Sequence, residues 1–173
     1  MADDASGEQR EDLVPREPTT ADLVALCREL NARGARYLVC GGFAIRAAGF
    51  ARRTNDIDLV IDTDAANEAN VFRALESLPD QAVRQLDAGD VAKYVVVRVA
   101  DEIVVDLMRS AAGIDYAEGL RQVVVMEVDG VPIPFASPQL LWRMKRNTHR
   151  EKDAEDLVFL RELFAKHGVT PPE

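Results

Sequence analysis

Cysteine is scarce in this chain: Cys27 and Cys40 are the only two among 173 residues, and they form no CxxC pair. Without that spacing there is no thiolate metal motif or redox pair. Both fall on expected apolar faces and read as reduced packing residues of a cytoplasmic protein. Histidine is equally sparse. His149 and His167 lie far apart and lack ligand spacing, so neither is assigned to a metal. Ser6, Ser77, Ser110 and Ser137 stand outside any nucleophile-elbow context, which argues against a serine hydrolase. No apolar run approaches the ~20 residues of a membrane span, and no membrane partner is expected. The first residues lack a positively charged lead and apolar run, so no signal peptide is expected. Positive charge is the minority: 21 Lys and Arg face 30 Asp and Glu, for a net charge of −9. That excludes wholesale coating of nucleic acid or a basic membrane-facing surface, while a local basic groove stays compatible with it.

What is present fits one domain. The apolar fraction of 47% is ordinary for a globular chain of this length. Residues 1–18 carry six acids against Arg10 and Arg16, show no apolar period and contain Pro15 and Pro18, so a disordered acidic tail is expected. The single domain is expected over residues 19–168, with a short tail at 169–173.

Thr19 to Asp22 predicts a capping box opening a helix whose stripe is Leu23, Leu26, Cys27 and Leu30, ended by Gly34. Tyr37–Cys40 reads as a short buried strand. Gly41-Gly42 then turns the chain into a helix from Phe43 to about Gly49. Asn55–Ile61 reads as a strand, and Asp64 caps a helix over Ala65–Leu78, stopped by Pro79. A strand is expected at Ala82–Leu86 and a turn at Ala88 to Asp90. Lys93–Val99 and Ile103–Met108 form an expected hairpin around Asp101. Val123–Val128 and Val131–Phe135 flank Asp129-Gly130, a strong hairpin signal. Ser137-Pro138 opens a helix to about Arg146, and a last helix runs over Lys152–Lys166. Its expected inner face is Ala154, Leu157, Val158, Leu160 and Phe164.

The chemistry concentrates between Tyr37 and Asp62. Alternation puts Asp56 and Asp58 on one face of their strand and Ile57, Leu59 and Ile61 on the other. Two carboxylates so placed repel by roughly 4 kcal/mol at 4 Å and an effective dielectric near 20. A divalent cation with oxygen ligands, Mg²⁺ or Mn²⁺, relieves that repulsion. Asp106 ends a second β-branched run and is a candidate third ligand from a neighbouring strand. The plain alternative is a solvated strand edge that binds nothing. Gly41 and Gly42, between strand and helix, suit an anion at backbone N–H groups, although tight packing also requires glycine. Arg52, Arg53 and Thr54 precede the acids and are candidates for phosphate contact or loop support; Arg53 and Thr54 are read as nucleotide contacts, and for Arg52 a solvated loop is slightly favoured over a phosphate contact. Arg143, Lys145, Arg146, His149, Arg150 and Lys152 form a basic cluster suited to a triphosphate or an RNA backbone, the alternative being a solvated helix face. Asp153 is read as pairing back to a basic neighbour, Asp156 as part of a solvated face, and Trp142 as a packing anchor.

The stretch GGFAIRAAGFARRTNDIDLVI resembles the signature of the DNA polymerase β-like nucleotidyltransferase superfamily, and SPQLLWRMKRNTHREKDAEDLVFL is similar to the last motif of its AbiEii-type branch, found in abortive-infection and toxin–antitoxin systems. The resemblance spans roughly Tyr37 to Leu160. It implies an α/β (α+β) fold with a mixed central sheet, helices packed on it and a C-terminal helical pair. It implies that Gly41 and Gly42 hold nucleotide phosphates, that Asp56 and Asp58 ligate metal, and that Asp106 is the third acid, at the acceptor hydroxyl. Lys145 then contacts phosphate and Asp153 is the acid of the last motif. Many members carry Gly-Ser at the glycine pair. Here Phe43 follows Gly42, so the serine–phosphate contact is not expected. The implied activity is Mg²⁺-dependent transfer of a nucleoside monophosphate from an NTP to a hydroxyl on RNA (tRNA), protein or a small molecule, in a toxin with a cognate antitoxin. The alternative is a non-catalytic nucleotide-binding or antitoxin-like module of the same fold.

Overall fold

The computed structural model describes residues 14–173. Of the expected tail, residues 1–13 lie outside the described residues. The segment that follows is tied to the body. Arg16 donates its backbone N–H to Glu102 O at 2.9 Å and its guanidinium to Asp22 at 2.7 and 2.8 Å. Glu17 accepts from Arg53 Nε at 3.1 Å, and Pro18 is buried.

Helix α1, Thr20–Ala32, begins with the expected capping box. Thr19 Oγ1 accepts from Asp22 N at 3.3 Å, and the Asp22 carboxylate accepts from Thr19 N at 2.7 Å. Its stripe of Leu23, Val24, Leu26, Cys27 and Leu30 is buried. Then come β1 (Tyr37–Cys40), α2 (Gly41–Ala47), β2 (Asp56–Ile61) and α3 (Ala65–Leu75), the last capped by Asp64 on Asn67 N at 2.8 Å. Short elements follow: a 3₁₀ turn at Ala82–Gln85, α4 (Asp90–Lys93), β3 (Val97–Ala100), β4 (Val104–Met108), β5 (Ser110–Ala111), β6 (Ile114–Asp115) and α5 (Tyr116–Gly119). The chain closes with the hairpin β7 (Val123–Val128) and β8 (Val131–Ala136) and the helices α6 (Pro138–Lys145) and α7 (Glu151–Lys166).

Six strands form one mixed sheet in the order β3-β4-β2-β1-β8-β7. The neighbours β1–β8 and β2–β4 are parallel, while β1–β2, β3–β4 and β7–β8 are antiparallel. The central strands are the most apolar: all of β1 is buried, as are Ile57, Leu59, Val60 and Ile61 of β2. Helix α2 packs on β1 and β2 and reaches α6, and α6 packs on α7, giving the expected C-terminal helical pair. Trp142 is a packing anchor there, edge-on to Phe164 at 6.0 Å with its Nε1 donating to Pro172 O at 3.1 Å.

Three expectations are corrected. Ala82–Leu86 is not a strand. The buried carboxylate of Asp101 accepts from Asp80 N at 3.0 Å and Ala82 N at 2.9 Å, which draws the segment into a 3₁₀ turn after the left-handed Gln81. The strand expected from Lys93 begins only at Val97. To pair further it would need β4 to continue past Met108, but Ser110 and Ala111 turn away to pair with β6. The inner face of α7 is also rotated from the apolar stripe. Asp153, Asp156, Leu160 and Phe164 are buried, whereas Ala154 is exposed and Val158 is 55% exposed.

Asp101 also accepts its own neighbour, Glu102 N, at 2.8 Å, so one carboxylate satisfies three backbone donors. Asp101→Ala strands these donors and is expected to cost about 2–4 kcal/mol, read as a lower urea midpoint at unchanged slope.

Candidate active site

The acids are brought together by strand register. On β2, Asp56 and Asp58 are two residues apart and share a face. On parallel β4, Asp106 lies directly opposite Asp58. Each of the three offers a carboxylate oxygen within 4.8 Å of the others. Burial, with the neighbouring charges of Asp56 and Asp106, pushes the Asp58 carboxyl up to about 7. The third strand of this layer, β3, sets Arg98 opposite Asp106. Its Nε donates to Asp106 Oδ1 at 2.9 Å, and its Nη2 donates to Asp106 Oδ2 at 2.8 Å and Asp56 Oδ2 at 3.3 Å.

The glycine pair is explained first by crowding. In the β1–β2 ladder Cys40 stands opposite Asp58, and Gly41 follows with φ +63°. A Cβ on Gly41 would lie 2.0 Å from Asp58 Oδ2, and one on Gly42 would lie 2.5 Å from Thr54 Oγ1. Thr54, buried, donates that hydroxyl to Asp56 O at 3.0 Å and so ties the loop to the acid strand. No side chain caps the start of α2, which leaves the helix's first N–H groups without a side-chain acceptor.

The C-terminal helices supply a buried ion network. Lys145 Nζ lies between Asp153 Oδ1 at 2.7 Å and Asp156 Oδ2 at 3.0 Å. Asp156 is fully buried and also accepts from Arg52 Nη2 at 3.0 Å. Arg52 Nε stands 2.7 Å from Asp156 Oδ1 but off the N–H axis, so it adds charge rather than a second bond. Asp153 accepts further bonds from Thr148 Oγ1 at 2.6 Å and Arg150 Nε at 2.7 Å. Burial alone would raise Asp153. The bonds from Lys145, Thr148 and Arg150 outweigh it and hold the carboxyl down at about 2.

Both halves face one cleft of about 530 Å³. Gly41, Gly42, Arg53, Thr54, Asp56, Asp58, Asp106 and Lys145 line it; Asp153 does not and stands behind Lys145. Arg53 is at the rim, its side chain 87% exposed and turned to Glu17. Val96, Met108, Leu141 and Met144 supply apolar wall. The basic cluster of the sequence divides. Lys145, Arg150 and Lys152 reach the cleft, whereas Arg143 bonds Gln122 at 2.9 Å and Arg146 bonds Pro172 O at 3.2 Å. Two readings are corrected: Arg52 is not a solvated loop residue and Asp156 is not part of a solvated face, because each is the other's buried partner. Arg98 was invisible to motif reading. Only the β3–β4 register, countable from the hairpin turn, pointed to it.

The fold is that of nucleotidyltransferases. The solved structure of the lincosamide antibiotic adenylyltransferase LnuA with lincomycin bound is similar at a TM-score of 0.58 and 15% identity, covering 86% of this chain and 99% of that one. An antigenic nucleotidyltransferase-like protein from Paracoccidioides brasiliensis is similar at a TM-score of 0.48 and 20% identity, over 82% of this chain and 74% of that one. No curated protein matches in sequence. The chain belongs to a family of nucleotidyl transferases of unknown function, DUF2204, which residues 19–170 match.

Asp58 gives a signed pH dependence. With its folded pKa at about 7, above an unfolded value of about 3.9, the folded chain keeps a proton that the unfolded chain has released, so stability falls as pH rises from about 4 and the loss is complete once pH passes about 7. In chelator, the melting temperature of Asp58→Asn minus that of wild type is expected to grow from pH 5 to pH 8.

Proposed function

We propose that the protein transfers a nucleoside monophosphate from a nucleoside triphosphate to an acceptor hydroxyl, whose oxygen bonds the α-phosphorus as the α–β phosphoanhydride bond breaks and pyrophosphate leaves, with Mg²⁺ or Mn²⁺ held by Asp56, Asp58 and Asp106. The observation that carries this reading is the acid cluster facing Lys145 across one cleft, beside the Gly41–Gly42 turn. The donor set fits such a cation: it is all carboxylate oxygen, it converges within 4.8 Å, and burial together with the neighbouring carboxylates raises Asp58. Bound there, the cation supplies neutralisation of phosphate charge and in-line alignment.

The remaining work falls to the chain itself. The first N–H groups of α2, at Gly41 and Gly42, donate to phosphate oxygens, where side chains would meet Asp58 at position 41 and Thr54 at position 42. Lys145 donates one ammonium proton to Asp153 and is ion-paired with Asp156, and its remaining protons serve the phosphate. Asp153 thereby positions Lys145 without touching substrate. Thr54 braces the acid strand, and Arg53 adds positive charge at the rim where the triphosphate enters. Asp106 orients the acceptor hydroxyl and accepts its proton. The apolar wall of Leu141 and Met144 shields the reacting groups from water.

The acceptor is RNA, protein or a small molecule. In the cell, the motif resemblance supports a toxin role of the AbiEii type with a cognate antitoxin. The test is incubation with labelled NTPs, Mg²⁺ and, in separate reactions, total tRNA, protein and small hydroxyl compounds. Label is expected in one acceptor pool, falling at least about a hundredfold in Asp58→Ala and in Lys145→Ala. Labelling that survives Asp58→Ala sinks the mechanism, and nucleotide binding without transfer to any pool favours a non-catalytic module. For the toxin role, growth arrest on expression should be relieved by Asp58→Ala.

A further inference from the structure

Arg98 stands where the acid cluster needs positive charge. Its guanidinium engages both oxygens of Asp106 and one of Asp56, at 2.8–3.3 Å. Among the described residues no other basic side chain bonds Asp56, Asp58 or Asp106. A planar, bidentate fork is the strongest counter-ion a side chain can offer to carboxylates.

Arg98 is held differently from Arg52, a second arginine of the cleft. Arg52 is 17% exposed against a fully buried Asp156 and is locked in place. Arg98 is 60% exposed and projects from β3, one of the two edge strands of the sheet. Its bonds to the acids are therefore its main tether, and it can swing clear without repacking the core. A divalent cation on the same carboxylates competes with Arg98 for lone pairs and is repelled by its charge.

We propose that Arg98 is the resident counter-ion of the acid cluster and that its docking and divalent-cation binding oppose one another. This rests on the reading of Asp56, Asp58 and Asp106 as the cation site. Arg98 acts through those carboxylates: it holds Asp56 and Asp106 together in the metal-free protein and sets how tightly the cluster takes its cation. A residue that merely braced the ligands would have the opposite effect, because its loss would loosen the site.

The experiment is titration of metal-free protein with Mn²⁺ alone, without nucleotide, followed by calorimetry and by the paramagnetic resonance of free Mn²⁺. Arg98→Ala is expected to bind Mn²⁺ at least about tenfold more tightly than wild type, the scale of one charge-assisted bond pair no longer broken on binding. Arg98→Lys keeps the charge but loses the bidentate fork and is expected to bind Mn²⁺ with an affinity between those of wild type and Arg98→Ala. In chelator Arg98→Ala should melt below wild type, with the gap closing at saturating Mn²⁺. Unchanged or weaker Mn²⁺ binding by Arg98→Ala, with wild type binding, overturns the role of Arg98 and leaves the cation site standing. If neither wild type nor variant binds Mn²⁺, the cation reading itself falls, and the proposal with it.

Discussion

Three carboxylates on one sheet face repel each other, and the surroundings of the cleft are arranged around that repulsion. Register alone makes the problem: β2 lies between β1 and β4, so Asp58 meets Asp106 on one side and the end of β1 on the other. On the β1 side only glycine fits, because any Cβ at position 41 would overlap the Asp58 carboxylate. On the β4 side Arg98 reaches in from the next strand to offset the charge. A glycine that looks like a phosphate-binding device in sequence is thus first a steric requirement of the acid. The two roles are compatible, since the same missing side chain opens backbone N–H groups to the cleft.

The second half of the cleft is built from charge of the opposite bias. Arg52, Lys145 and Arg150 converge on Asp153 and Asp156, and four of these five side chains are largely shielded from water. Burying so many ions is expensive, and such pairs are poor sources of stability compared with apolar packing. What the network does provide is connectivity. Arg52 leads into the loop before β2, and Asp156 lies on α7, 104 residues away. Through Lys145 that contact fixes α6 and α7 relative to the acid strand. The geometry across the cleft therefore depends on a few charged bonds, not on the apolar face of α7 alone.

Much of this architecture was legible in the sequence because it follows local rules. The capping box at Thr19, the Asp129-Gly130 hairpin and the alternation of Asp56 and Asp58 each need only a few residues, and each is found. What escaped depends on partners far along the chain. Asp156 sits on an amphipathic helix, where a charged residue ordinarily faces water, and only the distant Arg52 and Lys145 make its burial tolerable. Ala82–Leu86 has the composition of a strand, but the carboxylate of Asp101 takes the Ala82 N–H, and the 3₁₀ turn takes those of Arg84 and Leu86. Arg98 belongs to no motif because its significance lies in what stands opposite it in the ladder.

Arg52 and Arg98 show how one residue type serves two ends in one cleft. Both neutralise aspartates, and both lie beside the same acid strand. Their difference is exposure: 17% for Arg52 with a fully buried partner, 60% for Arg98. A buried guanidinium that lost its partner would be left as an uncompensated charge away from water, so Arg52 is committed to Asp156. An exposed one that leaves its partner is simply hydrated, so the Arg98 pair costs less to break. The rigid pair is placed where the two halves of the cleft must be held in register. The exposed pair stands at the acid cluster, and that distribution of burial, more than the count of charges, separates the two arginines.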